Sequence, residues 1–272
     1  MRSASLVVAF YNRPDYFTLL HAGLERQTFK DFEVIIADDG SNTQTVSELQ
    51  KIISLSPFIT HHVWQEDQGF RKNRILNQAI QKANSDYLIF IDMDCIPHRE
   101  FIREHVIHGV EGVCLTGRRV NLSGTISEKL TPDLIKNGFL EKKRFQLIWD
   151  GLFGKSKDVE KGWYIKSNWL REWLNRKPRG ILGCNFSLFK KDILGINGFD
   201  ERYEAPSVGE DTDIQYRLEL NEIQIKPVNY MAIQYHLFHP LQPRLQSNWE
   251  LFKNTQEMGQ AFTPFGIKKV KS

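Results

Sequence analysis

The sequence predicts an α/β fold in which a mostly parallel central sheet is flanked by helices and interrupted by an inserted, basic, Trp-rich lobe. Three observations predict it. Over the first 117 residues, short β-branched or aromatic runs alternate with amphipathic stretches, the pattern of strands joined by helical crossovers. Each polar cluster in that half falls at the carboxyl end of an apolar run, the edge at which open α/β sheets form their ligand crevice. From Asn121 to about Arg179 the pattern loosens, and regularity returns at Gly183.

Ser5-Leu6-Val7-Val8-Ala9-Phe10 is a buried strand, and Asn12-Arg13-Pro14 opens a helix with a cap-type residue and a proline suited to the first turn. Glu33-Val34-Ile35-Ile36-Ala37 is the second strand, ending in Asp38-Asp39-Gly40-Ser41. Ser41 with Gln44 three residues on predicts a capping box for a helix reaching Ile53. A third strand surrounds His61-His62-Val63-Trp64. Past Gly69, a helix from Phe70 to Ala83 repeats Ile75, Leu76, Ala79, Ile80 and Ala83 at helical spacing. Tyr87-Leu88-Ile89-Phe90-Ile91 is a fourth buried strand, terminated by Asp92-Met93-Asp94. Beyond the insertion come the strand-like Gly183 to Phe189, then Asn197-Gly198-Phe199-Asp200, then a helix opened by Gly209-Glu210-Asp211 and running to about Leu220. A last strand-like run, Met231 to Tyr235, leads into His236-Leu237-Phe238-His239-Pro240. We read residues 1–272 as one domain built of 1–120, an inserted lobe 121–180, a second half 181–240 and a tail 241–272.

At 41% hydrophobic and 25% charged residues the chain has the balance of a folded globular protein. No apolar run reaches the roughly 18 residues a spanning helix needs, and Met1-Arg2-Ser3 leads straight into a strand rather than a signal peptide. Three widely spaced cysteines, Cys95, Cys114 and Cys184, support neither a disulfide framework nor a zinc cluster and predict a reducing, cytoplasmic compartment. The formal charge of +3 is too small to point to nucleic acid as a partner. Its distribution is uneven: Glu128 to Arg179 holds 13 Lys and Arg against 7 Asp and Glu, leaving the rest mildly acidic.

Asp92 and Asp94, two residues apart at a strand end, predict carboxylates on one side that together hold a divalent cation bridging two phosphates. The bland alternative is a pair of solvated loop acids, and Asp211-Thr212-Asp213 shows that the spacing recurs by chance. Glu210 and Asp211, at a helix start, are either ordinary first-turn acids or the general base that takes a proton from an attacking hydroxyl. His236 and His239 are surface histidines or complete the coordination of a metal held by the acids, in which case Mn²⁺ is favoured over Mg²⁺. Arg13, Arg71, Lys72 and Arg74 offset diphosphate charge or are solvated helix-face charges. Asp39 accepts from a nucleobase imide or shapes its own turn. Trp149, Trp163, Trp169 and Trp173 in the insertion stack on acceptor sugars, lie against a membrane interface, or form a satellite core.

Taken in order, Val8-Ala9-Phe10-Tyr11-Asn12-Arg13, Asp38-Asp39-Gly40-Ser41, Gln68-Gly69-Phe70-Arg71-Lys72-Asn73-Arg74, Asp92-Met93-Asp94, Asn197-Gly198-Phe199-Asp200-Glu201 and Gly209-Glu210-Asp211-Thr212-Asp213 resemble family 2 glycosyltransferases of the GT-A fold. The later half is similar to the part shared by bacterial chondroitin polymerase domains and animal β-1,4-galactosyltransferases. The resemblance implies a nucleotide-binding half in 1–120 and an acceptor-side insertion. It also implies an inverting transfer, without a covalent sugar-enzyme intermediate, of a hexose or N-acetylhexosamine from a UDP-sugar to a glycan or lipid-linked acceptor. Mn²⁺ or Mg²⁺ would be required, and the setting would be bacterial surface polysaccharide synthesis. Carried over, Asp39 reads the uracil, and Phe10, Asn12, Arg13, Arg71, Arg74 and Met93 stand around the nucleotide. Asp92 contacts ribose or metal, and Asp94 is the principal metal ligand with His236 or His239. Asp211 is the base, with Glu210 beside it. Phe10-Tyr11 replaces a small hydroxyl residue common in relatives, and the Trp-rich insertion sets the acceptor side apart. Peripheral contact with the inner face of a membrane through that insertion is the alternative to a free cytoplasmic protein. Rival readings are a sugar-nucleotide pyrophosphorylase, whose glycine-rich amino-terminal loop is replaced here by Tyr11-Asn12-Arg13-Pro14, and a non-catalytic carbohydrate-binding protein.

Overall fold

Strands β1 (Ala4–Phe10) and β2 (Phe32–Asp38) are buried along almost their whole length, as strands covered by helices on both faces must be. Their side chains alternate between two separate cores. Leu6, Val8, Val34, Ile36, Ile89 and Ile91 join one cluster, and Val7, Ile35, Ala37, Leu88 and Phe90 join the other. The computed structural model describes residues 3–206, 208–240 and 245–269, with the side chain of Glu210 outside that set.

After β1 the chain forms α1 (Pro14–Glu25), β2, α2 (Thr43–Ser54), β3 (Thr60–Trp64), α3 (Lys72–Lys82) and β4 (Tyr87–Asp92). Then come β5 (Cys95–Pro97), α4 (Phe101–His108), β6 (Val113–Thr116) and β7 (Arg119–Asn121). Residues 121–180, expected to form an inserted lobe, contain α5 (Gly124–Ser127), α6 (Pro132–Lys136), α7 (Phe139–Lys142), α8 (Arg144–Phe153) and α9 (Asn168–Leu174). The remainder supplies β8 (Phe186–Phe189), α10 (Lys190–Gly195), a π-helical turn over Val208–Asp213, α11 (Ile214–Leu220), β9 (Gln224–Pro227), β10 (Gln234–His236) and α12 (Gln246–Met258).

Among the described residues the main sheet has the order β3-β2-β1-β4-β8-β6-β9, and a second sheet has the order β5-β10-β7. Pairing in the main sheet is parallel except for β8, which runs against both β4 and β6. The face packed by α1, α2 and α4 takes Phe17, Leu20, Leu49 and Phe101, while the opposite face takes Ile75, Leu76, Ala79 and Ile80 of α3. Each of these Leu, Ile and Phe side chains, fully buried, contributes about 1.5–3 kcal/mol.

Several boundaries differ from the sequence expectation for identifiable reasons. Asn42, not Ser41, caps α2: its Oδ1 accepts from the Thr45 amide at 2.9 Å. Ser41 still belongs to the turn, its amide donating to Asp38 Oδ1 and its Oγ accepting from the Asn12 amide at 2.8 Å. Asn12 does not cap α1. It sits at φ 48°, and its Oδ1 accepts from Asn42, tying the two helix starts together. The segment read as a helix from Gly209 begins as the π turn, and the last strand starts three residues later than expected, at Gln234. The short strands β5, β6, β7 and β9 and helices α4 and α12 carry too few residues or too weak a period to be read in advance.

The insertion is neither loose nor built on tryptophan. Its core is Leu122, Ile126, Leu130, Ile135, Leu140 and Leu147, packed against Val120 and Tyr235 of the second sheet, Leu237 just beyond it and Ala22 of α1. The reading of its tryptophans as a satellite core is therefore corrected: Trp149, Trp163, Trp169 and Trp173 are all exposed.

Candidate active site

The carboxyl ends of β1, β2 and β4 open onto one cavity of about 760 Å³, and the second sheet and the π turn close its other side. β4 stops at Asp92, and Met93-Asp94 turn into β5. Because β5 pairs antiparallel with β10, His236 lies opposite Cys95, and the Leu237 amide donates to the Asp94 carbonyl at 2.8 Å. That register brings a residue 142 positions away onto Asp94.

The outcome is a compact three-residue cluster. His239 Nε2 lies 3.0 Å and His236 Nε2 3.4 Å from Asp94 Oδ2, and the two imidazole nitrogens are 3.1 Å apart. One ligand atom from each of the three residues lies within 4.8 Å of the other two. Burial alone would raise the Asp94 carboxyl, but hydrogen bonding to His236 and His239 outweighs it and holds the group well below the usual carboxylate range. Bonding to Asp94 raises His239 in turn, against its partial burial. Both histidines thus lie within reach of the Asp94 carboxylate.

Asp92 does not join them. With the strand ended, its Oδ1 accepts from Lys72 Nζ at 2.8 Å, so the turn gives the two carboxylates different partners in this structure. Lys72, Asp92 and Met93 all line the cavity, where Met93 Sδ receives the Tyr11 amide at 3.3 Å.

The two acids of Asp211-Thr212-Asp213 also part. Asp211 lines the cavity, its Oδ1 accepting from the Gly183 amide at 2.6 Å. Asp213 is fully buried, paired with Arg217 at 2.7 Å and with the Tyr203 hydroxyl at 3.1 Å. Gly209 makes the turn's position possible, since a Cβ there would come within 2.5 Å of the Tyr203 side chain. Glu210 occupies the same turn, its side chain outside the described residues.

Of the nucleotide-side candidates, Phe10, Asn12, Arg13 and Asp39 line the cavity. Arg13 chelates Asp15 at 2.9 and 2.6 Å and lies 3.4 Å over the Tyr16 ring. Asp39 is fixed by Gln65 Nε2 at 2.6 Å and the Arg71 amide at 2.8 Å, and burial raises its carboxyl above the ordinary range. The Gly40 that follows has φ 94° and no room for a Cβ against Asp67, so the turn that presents Asp39 requires glycine. Arg71 and Arg74 do not line the cavity. The Arg71 guanidinium pairs with Glu204 at 3.0 Å, and Arg74 donates to Gln68 at 3.2 Å.

Among the lining residues that local sequence does not mark are Arg119 and Cys184. Arg119, on β7, donates to Cys184 Sγ at 3.5 Å, and Cys184 follows the Gly183 that holds Asp211. Arg119 stands in a three-residue strand with no periodic pattern, and Cys184 has no cysteine or histidine near it in the sequence to mark a site.

Known proteins share this architecture. Residues 5–159 match glycosyl transferase family 2, and residues 174–240 match the N-terminal domain of galactosyltransferase. The chain is 26% identical to a chondroitin synthase of Escherichia coli over 249 residues, covering 85% of this chain and 34% of that protein. It is 28% identical to a hyaluronan synthase of Pasteurella multocida over 227 residues, covering 79% of this chain and 22% of that protein. The chain thus spans about a third or less of these curated relatives. Among solved structures, S. aureus TarS 1-349 in complex with UDP-GlcNAc superposes with TM-score 0.62 at 16% identity, covering 94% of this chain and 65% of that one. A mannosyltransferase of Pyrobaculum calidifontis in complex with GDP-Man and Mn²⁺ gives 0.56 at 13%, covering 96% and 63%. The mostly parallel sheet flanked by helices is the GT-A fold of these neighbours.

Proposed function

The chain belongs to glycosyl transferase family 2, and from that premise we propose that it transfers a hexose or N-acetylhexosamine from a UDP-sugar to a hydroxyl of a glycan or lipid-linked acceptor, inverting the anomeric centre. Relatives named as polysaccharide synthases support a role in polysaccharide synthesis. The observation that carries the reading is the presence, in one cavity, of the Asp94-His236-His239 cluster and of Asp211.

Asp94, His236 and His239 fit a divalent cation, with a carboxylate oxygen and two imidazole nitrogens within reach of one point. Two imidazoles favour Mn²⁺ over Mg²⁺. When bound, the ion supplies positive charge to the departing diphosphate. Lys72, steadied by Asp92, and Arg119 place further positive charge at the wall where that diphosphate would lie. Asp39, at the tip of β2, is oriented to accept from the uracil imide, and Phe10, Asn12, Arg13 and Met93 form the remaining wall for the nucleotide. Arg71 acts through the Asp39 carboxylate that its amide holds, and Arg74 has no assigned contact in this scheme.

Asp211 is the general base. The Gly183 amide fixes one of its oxygens and so aims the carboxylate, which takes the proton as the acceptor hydroxyl attacks the anomeric carbon. Direct displacement inverts that carbon. Glu210, next in the turn, is assigned to acceptor or donor hydroxyls. Three free, buried thiols support action in a reducing compartment.

Thermal shift with UDP-sugars tests the reading, because a ligand that binds the folded state raises its apparent stability. Stabilisation by a UDP-sugar that requires Mn²⁺ and is lost in Asp94→Ala is expected. No shift with any UDP compound would overturn the donor assignment.

A further inference from the structure

Helix α8 is turned inside out. Phe145, Trp149, Leu152 and Phe153 recur at i, i+4, i+7 and i+8 and so share one face of the helix, yet they are 77, 65, 71 and 76% exposed. Leu147, about half a turn away on the helix surface, is the side chain that packs into the lobe's core with Tyr235 and Leu237. An apolar stripe of this kind on a surface helix marks a site of association.

The helix is held firmly in that posture. Gly151 packs against Val159 and the Ser156 hydroxyl donates to the Asp150 carboxylate, while on the solvent side the Trp149 and Phe153 rings only stack on each other, at 4.9 Å. Among the described residues nothing covers the stripe. Basic residues bracket it: Lys142, Lys143 and Arg144 enter the helix, and Lys155 and Lys157 leave it, all exposed. The surrounding stretch from Glu128 to Arg179 carries the chain's surplus of positive charge, 13 basic against 7 acidic residues.

From this we infer that α8 docks the protein flat on an anionic lipid bilayer, with Phe145, Trp149, Leu152 and Phe153 seated at the headgroup boundary and the flanking lysines and arginine on lipid phosphates. The charge selects this occupant. A second copy of the chain would bring the same basic flanks against themselves, whereas an anionic surface neutralises them. No helix among the described residues is long and apolar enough to cross a membrane, so the contact lies in the interface. Through Leu147 the helix rests on the same core as β10, the strand that carries His236, which sets the docked surface beside the sheet that completes the cavity.

Co-sedimentation of the full chain with vesicles tests it. Binding is expected to vesicles of phosphatidylcholine mixed with phosphatidylglycerol, weakening as salt rises, and to be at least about tenfold weaker with phosphatidylcholine alone. The variant Trp149→Ser with Phe153→Ser should lose that binding by about tenfold or more while keeping the wild-type melting temperature, since both side chains are already in solvent. Reversing Lys142, Lys143 and Arg144 to Glu should remove the preference for phosphatidylglycerol. Equal binding by wild type and variants, or absence of binding to either vesicle, overturns the proposal. A concentration-dependent dimer abolished by the same serine substitutions, without vesicle binding, would assign the face to a second copy instead.

Discussion

The turn after β4 and the π turn before α11 carry the same Asp-X-Asp spacing and use it in opposite ways. In the first, both acids stay at the cavity but separate, Asp92 to Lys72 and Asp94 to two histidines. In the second, Asp211 faces the cavity, whereas Asp213 is buried to hold Arg217. An acid's role is set by its partner, and the partner arrives from a distant element.

Four measurements would break or sharpen that contrast. The largest effect belongs to Asp211→Asn, which should cut transfer by roughly 100- to 10,000-fold while leaving Mn²⁺-dependent UDP binding intact. Transfer near the normal rate by this variant would end its assignment as base. Next, Asp213→Ala should cost about 3–5 kcal/mol of unfolding free energy in urea, because it strands a buried guanidinium. Adding Arg217→Met should restore part of the loss, and a single variant as stable as wild type would place Asp213 outside the supporting structure.

A third acid extends the comparison to pH. Burial opposes ionisation of Glu104, but hydrogen bonds from His108 and Tyr164 and the charge of Arg171 lower its carboxyl to about 2. Its folded value lies below the unfolded one, so its contribution is fully present above the unfolded pKa of 4.5 and is lost as pH falls from there toward 2. At most about 3 kcal/mol is involved. Acid titration of Glu104→Gln should show a flatter decline than wild type over that window, and parallel curves would refute the assignment. The smallest effect is Asp92→Asn: its pair with Lys72 is partly open to solvent, so stability should fall by no more than about 1 kcal/mol. A loss comparable to that of Asp213→Ala would erase the distinction between the two turns.

Much of this was legible in the chain. β1 to β4 are apolar runs whose polar ends lie within a few residues, and Asp39, Asp94 and Asp211 could be singled out because their signals are local. Arg119 and Cys184 could not, since nothing adjacent to them marks a site. The fates of Asp92 and Asp213 were equally hidden: one depends on where β4 stops, the other on the burial of Arg217.

By itself, then, the sequence determined the α/β class, the places of the first four strands along the chain and the acids at their ends, because hydrophobic period and turn chemistry act over a few residues. Tertiary structure decided that both His236 and His239 meet Asp94, that Asp92 is drawn to Lys72, and that the aromatic face of α8 is left in water. Those outcomes rest on strand register and on packing between segments far apart in the chain; in β10, a slip of one residue would turn His236 to the opposite face of its sheet.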